Sequence, residues 1–273
     1  MSEKIAEDVL KFEIQAPRIA EKRKPGQFVV IRVDEKGERI PLTIVDSNLN
    51  KGTITLIFQV VGVSTRKLAS LKTGDSLMDV LGPLGHATHL EKYGKVIAIG
   101  GGVGIAPLYP ISKGMKDAGN SVIAILGARS KNLMILEREM KAICTEIHLV
   151  TDDGSYGEKG LVTNVLKKML DTGTHPDIVI AIGPLVMMKA VSELTQPYGI
   201  KTMVSLNPIM VDGTGMCGGC RVDVAGEIKF ACVDGPEFDG HAVNFDKLSI
   251  RLKAYKTYEK HSMEQCKLQG MIK

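Results

Sequence analysis

Cys217 and Cys220 stand with two residues between them in the glycine-dense stretch "DGTGMCGGCRV", and Cys232 follows Cys220 with eleven residues between. Thiolates grouped this closely suit iron–sulfur clusters or zinc. Asp212 lies five positions ahead of Cys217, which completes the pattern D-x4-C-x2-C-x11-C. With cysteine in place of the aspartate, the x4 and x2 spacings would be those of a plant-type two-iron ferredoxin. Gly213, Gly215, Gly218 and Gly219 let such a loop wrap a cluster with its amides turned inward, where they offset thiolate and sulfide charge. The expected metal ligands are therefore Asp212, Cys217, Cys220 and Cys232, holding [2Fe–2S]. Two alternatives stay open. Asp212 can be a turn aspartate before Gly213, or the cysteines can hold structural zinc, although a carboxylate beside three thiolates is unusual there. Cys144 and Cys266 stand apart and read as free thiols.

A second chemical signal is "IAIGGGVGIAPL", with Gly100, Gly101, Gly102 and Gly104 between an apolar run and a helical one. Glycines there let the backbone approach a pyrophosphate, and the helix start supplies amide donors. The GGGxG spacing is not GxGxxG, so a plain strand-to-helix turn remains the alternative. Gly183 and Pro184, after another apolar run, turn at the same edge of the same sheet, where ligands of open parallel sheets bind. Arg129 and Ser130 follow a third run, in a place where a nucleotide 2′-phosphate could bind.

These groups need elements to hold them. The first third is rich in β-branched runs bounded by turn residues, "GQFVVIRV" and "GTITLIFQVV", with one helical stretch, Ser64 to Leu71, capped by Ser64 or Thr65. Short strands with one helix predict a small antiparallel β-barrel over 1–92. From residue 93, nearly continuous apolar runs alternate with helical stretches at 105–118, 134–143, 160–170 and 186–196. That alternation predicts an α/β parallel-sheet domain covered on both faces, over 93–204. The cysteine segment, 205–245, carries two short strands, and a charged helical tail follows over 246–273. The chain has 273 residues and a net charge of +4, too mild for a nucleic-acid partner. No run is long and apolar enough to predict a membrane span. The N-terminus reads as lacking a signal peptide, and clustered cysteines in a reducing compartment mean metal before disulfide, so a cytoplasmic protein is expected.

"ERIPLTIVD", "VVGVSTRKL", "GPLG", "GGGVGIAPL", "TDDGSYGEKGLVT" and "IGPLVMM" occur in the order and spacing of the ferredoxin–NADP reductase superfamily, which the chain resembles over nearly its whole length. The resemblance implies an FAD-binding barrel followed by a nicotinamide-nucleotide domain. Arg39 would then pair with the FAD pyrophosphate, a task suited to a fork-shaped donor. Thr43 would lie near the flavin ring. Pro41 and Leu42 stand where many relatives carry an aromatic residue. Gly62, Val63, Ser64 and Thr65 would receive flavin phosphates at a helix start, with simple helix capping as the alternative. Gly82 opens "GPLG", the linker loop beside the flavin. Gly101, Gly102, Gly104, Gly183 and Pro184 would border the nucleotide, with Asp152 and Asp153 at its cleft. The cysteine that many relatives carry before the GP of the last motif is Ile182 here.

"SLNPIMVDGTGMCGGCRV" and "FACVDGPEFDGH" resemble the small FAD and [2Fe–2S] subunits of NADH-dependent reduced ferredoxin:NADP oxidoreductase and of sulfide dehydrogenase. The electron-transfer subunits of dihydroorotate dehydrogenase are similar but carry cysteine at the position of Asp212. The resemblance implies an electron-bifurcating oxidoreductase subunit with NAD(H) as substrate and a larger iron–sulfur flavoprotein as partner. No acid–base dyad is evident in the sequence, so no catalytic residue is expected, and hydride transfer to flavin needs none. His86, His89, His148 and His241 read as structural or exposed. A zinc-containing partner-binding scaffold is the reading from a different class. Choice between NADH and NADPH, direction of flux, partner identity and oligomeric state are not written in the motifs.

Overall fold

The computed structural model describes residues 1–268, with side chains described through 266; the last residues of the expected helical tail, 269–273, lie outside this range. The first six strands are β1 (Ser2–Ala6), β2 (Val9–Gln15), β3 (Phe28–Arg32), β4 (Arg39–Asn48), β5 (Thr53–Gln59) and β6 (Asp79–Leu84). They form one antiparallel sheet in the order β1-β2-β5-β4-β3-β6. Register shifts in the β1–β2, β4–β5 and β3–β6 ladders let it curl. Phe12, Val29, Ile31, Ile44, Leu56 and Phe58 then meet in a single core, with Ile19 of α1 (Pro17–Lys22) and Leu68 of α2 (Val63–Ser70) plugging it.

α2 departs from expectation at its start. Its N-cap is Gly62, and Thr65 sits three residues in. The Thr65 hydroxyl accepts from the amides of Val61 and Gly62, each at 3.0 Å, so it secures the turn before the helix. "GPLG" also differs. Gly82, Pro83 and Leu84 belong to β6, which pairs with β3: Phe28 lies opposite Leu84 and Val30 opposite Leu81, with Gly82 and Pro83 in the irregularity between them. Gly82 is required by packing, since a Cβ there would meet Val29 Cγ1 at 2.7 Å.

The second sheet comprises β7 (Lys95–Gly101), β8 (Ser121–Ala128), β9 (Glu146–Thr151), β10 (Glu158–Lys159), β11 (Ile178–Ile182) and β12 (Lys201–Ser205), with β15 (Glu237–Asp239) antiparallel at its edge. Its order is β10-β9-β8-β7-β11-β12-β15. β7 therefore has β8 on one side and β11 on the other, which is the switch point where α/β sheets open a crevice. Helices α3 (Ile105–Asp117), α4 (Glu137–Ile143), α5 (Val162–Asp171) and α6 (Leu185–Thr195) connect the strands as the apolar rhythm predicts. Alternate residues of β7 serve opposite faces. Ile97 and Ile99 join a core with α5 and α6, and Val96 and Ala98 join another with α3.

The cysteine segment folds around a hairpin, β13 (Arg221–Val224) and β14 (Glu227–Phe230). Ala225 and Gly226 at its tip have φ of 53° and 83°, the two-residue turn whose twist suits a hairpin. α7 (Phe245–Lys253) and α8 (Lys256–Leu268) form the tail. The Asn244 side chain caps α7 by accepting from the Lys247 amide. Phe28 and Val30 of the barrel, β7, Cys220, Cys232 and Phe245 share one core, so the segments are packed onto one another. Among the described residues no helix is long and apolar enough to cross a membrane.

Candidate functional site

A cleft of about 860 Å³ opens between the two sheets. Its barrel wall includes Pro41, Leu42, Thr43, Gln59, Val61 and Thr65. The opposite wall comes from the strand ends of the parallel sheet: Gly101, Gly102, Gly104, Gly127, Ala128, Arg129, Asp152, Gly183 and Pro184. Ser205, Leu206, Asn207, Met210 and Pro236 close the end nearest the cysteines. The walls are mostly apolar, with a few polar groups placed singly, as in sites for large cofactors.

The glycines divide by function. Gly102 has φ of 56° and nothing within 4 Å of an added Cβ, so its bare backbone faces open space. A Cβ on Gly104 would meet the Ile182 carbonyl oxygen at 2.4 Å, and one on Gly101 would meet Met187 Sδ at 2.5 Å. Those two glycines therefore bring the turns after β7 and β11 together. A Cβ on Gly183 would likewise strike the Gly101 backbone. No side chain caps α3, which is entered from a single turn at Gly102–Gly104 whose carbonyls take up the Ile105 amide.

Several expected residues lie outside the cleft lining. Arg39 starts β4, exposed, with Nη2 3.6 Å from the Asp79 carboxylate. The period-two geometry of a strand puts it on the same face as Pro41 and Thr43, farther out along the wall. Gly62 and Val63 lie beside Thr65 at the start of α2, and the Ser64 hydroxyl donates to Glu38 at 2.8 Å. Gly82 is held in β6. Asp153 spends its carboxylate on a turn, accepting from the Ser155 amide at 2.9 Å, and the Ser155 hydroxyl and then that amide hold it below the usual carboxylate range. Asp152 faces the cleft.

Hairpin register builds the cysteine pair. Arg221 lies opposite Phe230, so Cys220 and Cys232 flank the open end, and the Ala231 amide donates to the Cys220 carbonyl at 3.2 Å. Their sulfurs are 3.2 Å apart, and both residues are 2% exposed. Burial, and then the adjacent Cys220 sulfur, push the Cys232 thiol up to about 12. Two buried sulfurs at this separation cannot both ionise without a cation between them, and a bound metal reverses that balance. The donor set thus fits a thiophilic cation such as iron.

Cys217 is exposed in the preceding loop, and its sulfur accepts from the Gly219 amide at 3.4 Å. Asp212 accepts from the amides of Thr214 at 2.8 Å and Cys217 at 2.6 Å. These contacts, Thr214 first, hold its carboxyl below the usual range, so it is an anion bound to its own loop. Gly213, with φ of 75°, lays the loop on the barrel: its Cβ position is 2.7 Å from Leu84 and 3.1 Å from Val30. Among the described residues no three His, Cys, Asp or Glu side chains converge on one ion position. The arrangement is instead a buried cysteine pair beside an aspartate–cysteine loop.

Cys144 is a free thiol pushed up to about 11 by burial. His89 pairs with Glu91, and His241 bonds the Thr195 hydroxyl. The cleft also takes in Phe28, Gln59, Asn207, Met210 and Pro236, which carry no recognisable motif of their own. They reach the cleft through barrel pairing and through the antiparallel β12–β15 ladder, for which no local motif signals.

A barrel, a parallel sheet with a ligand crevice at its switch point and a cysteine hairpin beside that crevice define a flavin- and nicotinamide-dependent oxidoreductase chain with an iron–sulfur module. Residues 1–89 match the oxidoreductase FAD-binding domain, 98–193 the oxidoreductase NAD-binding domain, and 207–244 the iron–sulfur cluster binding domain of dihydroorotate dehydrogenase B. The chain is 52% identical over 262 residues to the dihydroorotate dehydrogenase B (NAD(+)) electron transfer subunit homolog of Thermotoga maritima, covering 96% of this chain and 92% of that one. It is 35% identical to the electron transfer subunit of Geobacillus thermodenitrificans, over 86% of this chain and 92% of that one. A chain from the structure of NADH-dependent reduced ferredoxin-NADP oxidoreductase, described with flavin-based electron bifurcation, superposes with a TM-score of 0.93 at 48% identity, covering 97% and 95% of the two chains. The chain belongs to the family of dihydroorotate dehydrogenase B electron transfer subunits and their homologues.

Proposed function

We propose that this chain passes electrons between NAD(H), FAD and a [2Fe–2S] cluster to a larger iron–sulfur flavoprotein subunit, as in NADH-dependent reduced ferredoxin:NADP oxidoreductase. The observation that carries the reading is continuity between cleft and cysteines. Met210 and Pro236 line the cleft, and they flank the segment that holds Asp212 and the cysteine pair. When bound, the flavin converts a hydride pair into single electrons that the cluster relays.

The chain's residues divide the work. Pro41, Leu42, Thr43 and Thr65 form the flavin wall, and Arg39 reaches the pyrophosphate by leaving Asp79. Gly62, Val63 and Ser64 offer the amides of the α2 start, and Gly82 keeps β6 close against β3 beneath that wall. Gly101, Gly104, Gly183 and Pro184 hold the crevice open at the strand ends. Gly102 admits the nucleotide backbone, Asp152 accepts from its hydroxyls, and Asp153 fixes the turn that presents Asp152. The apolar walls exclude water from the transfer. Asp212, Cys217, Cys220 and Cys232 would together hold the cluster, which would supply one-electron transfer there. Domain limits at residues 92, 204 and 245 follow this division, and a cytoplasmic location accords with reduced thiols.

The dihydroorotate dehydrogenase reading is supported by relatives at 35% identity. Asp212 favours the bifurcating reading over it, because the dihydroorotate subunits resemble this chain with cysteine there. Anaerobic co-purification with the native partner separates the two. A partner carrying its own iron–sulfur clusters and a second flavin supports the proposal, and a dihydroorotate-oxidising partner overturns it.

A further inference from the structure

The tail beyond residue 244 lies outside the three matched domains. It nevertheless touches the cysteine loop. Arg251 of α7 donates from Nη2 to the Gly219 carbonyl at 3.0 Å. Gly219 lies between Cys217 and Cys220. Its amide donates to the Cys217 sulfur, and its carbonyl belongs to the peptide that carries the Cys220 N–H. One guanidinium thus sits a single peptide from two proposed ligands.

α7 is fixed independently of this contact. Lys247 donates to Asp223 of β13 at 2.5 Å, and Asp223 is buried. Asn244 caps the helix, and Lys189 of α6 donates to Asp246 at 2.7 Å. Phe245 and Leu248 join the core that contains Cys220 and Cys232. Arg251 is therefore held in place before any cluster binds. A preorganised charge costs nothing to reorient when the charge beside it changes.

We propose that Arg251 is a positioning and potential-setting residue for the iron–sulfur site: its charge, and its polarisation of the 219–220 peptide, stabilise the more negative, reduced state of the centre. This rests on the reading that the loop holds [2Fe–2S]. Reduction adds one electron to the centre, and the added negative charge is attracted by the guanidinium. Donating to the Gly219 carbonyl also polarises the 219–220 peptide so that its N–H end, on Cys220, becomes more positive, which favours added negative charge at the adjacent thiolate. Both effects have the same sign. Arg221, whose Nη1 is 3.0 Å from the Cβ position of Gly218, adds positive charge beside the same loop.

The test is an EPR-monitored redox titration of the holoprotein with Arg251→Gln and Arg251→Lys, alongside iron, sulfide and flavin analysis. An iron-free parent would remove the cluster reading itself, separately from this inference. With a loaded parent, Arg251→Gln is expected to shift the reduction equilibrium about tenfold toward the oxidised state, or about 59 mV downward for one electron. Arg251→Lys is expected to stay near the parent value. An unchanged potential in loaded Arg251→Gln overturns the proposal, as does an equal downward shift in Arg251→Lys. Should Arg251→Gln fail to load, Arg251→Lys decides: loading at the parent's potential upholds a role for charge, and failure to load assigns the contact to loop shape alone.

Discussion

Replacing Gly213 by alanine tests how the cysteine loop is seated. Gly213 has φ of 75°, and its added Cβ would lie 2.7 Å from Leu84 Cδ1 and 3.1 Å from Val30 Cγ2. The left-handed backbone costs an L-residue about 1–2 kcal/mol. Overpacking against two barrel side chains adds about 1–3 kcal/mol. Together the seated loop is destabilised by about 2–5 kcal/mol, which is at least tenfold in its population. Gly226→Ala is the control. Its φ is 83° and nothing lies within 4 Å of the added atom, so only the backbone cost applies. The assay is iron and acid-labile sulfide per chain after anaerobic reconstitution, with flavin measured in parallel. Gly213→Ala should lose most of its iron and keep its flavin, and Gly226→Ala should lose much less. Parental iron content in Gly213→Ala would refute the idea that contact with β3 and β6 seats the loop.

Asp212→Ala should lower iron occupancy several-fold and leave flavin nearly intact, checked by the same analysis. Arg39→Ala should weaken FAD retention on gel filtration, with an unchanged flavin-to-protein ratio counting against it. Gly104→Val should abolish NADH-dependent flavin reduction, since its Cβ would lie 2.4 Å from the Ile182 carbonyl oxygen, and stopped-flow absorbance reads this directly. Glu237 accepts from Thr88 at 2.5 Å, and burial pushes its carboxyl up to about 7. The native state therefore holds a proton that the unfolded chain releases near its ordinary value of 4.5. Its contribution is full below that value and is lost as pH rises through about 7. Glu237→Gln should flatten the fall in urea midpoint between pH 5 and 8, and an unaltered slope would exclude Glu237 as its source.

The layered architecture was legible because its signals are local. After their polar first residues, runs such as "KVIAIGG" and "SVIAILGA" are continuously apolar, as strands covered on both faces are. The cysteine spacing was legible for a similar reason, since a type I′ hairpin between Arg221 and Phe230 brings Cys220 and Cys232 together wherever it is placed. Contacts across elements stayed hidden. "GPLG" reads as a turn by composition, yet pairing with β3 draws it into β6. Gly101 and Gly104 read as a phosphate loop, but the demand for glycine there comes from the 182–187 turn on a distant strand. Thr65 reads as an N-cap, while Gly62 takes that position and leaves Thr65 to bond backward. Nothing in "FDKLSIRLK" signals that Arg251 reaches the Gly219 carbonyl.

The central claim is that the cleft delivers electrons to a two-iron centre on Asp212, Cys217, Cys220 and Cys232. The most direct measurement is low-temperature EPR of the anaerobically purified chain, reduced with NADH alone. The account predicts the signal of one reduced two-iron cluster per chain, lost in Asp212→Ala together with iron. A parent that contains flavin and iron yet yields no such signal, or an Asp212→Ala variant indistinguishable from it in signal and iron, would contradict the account.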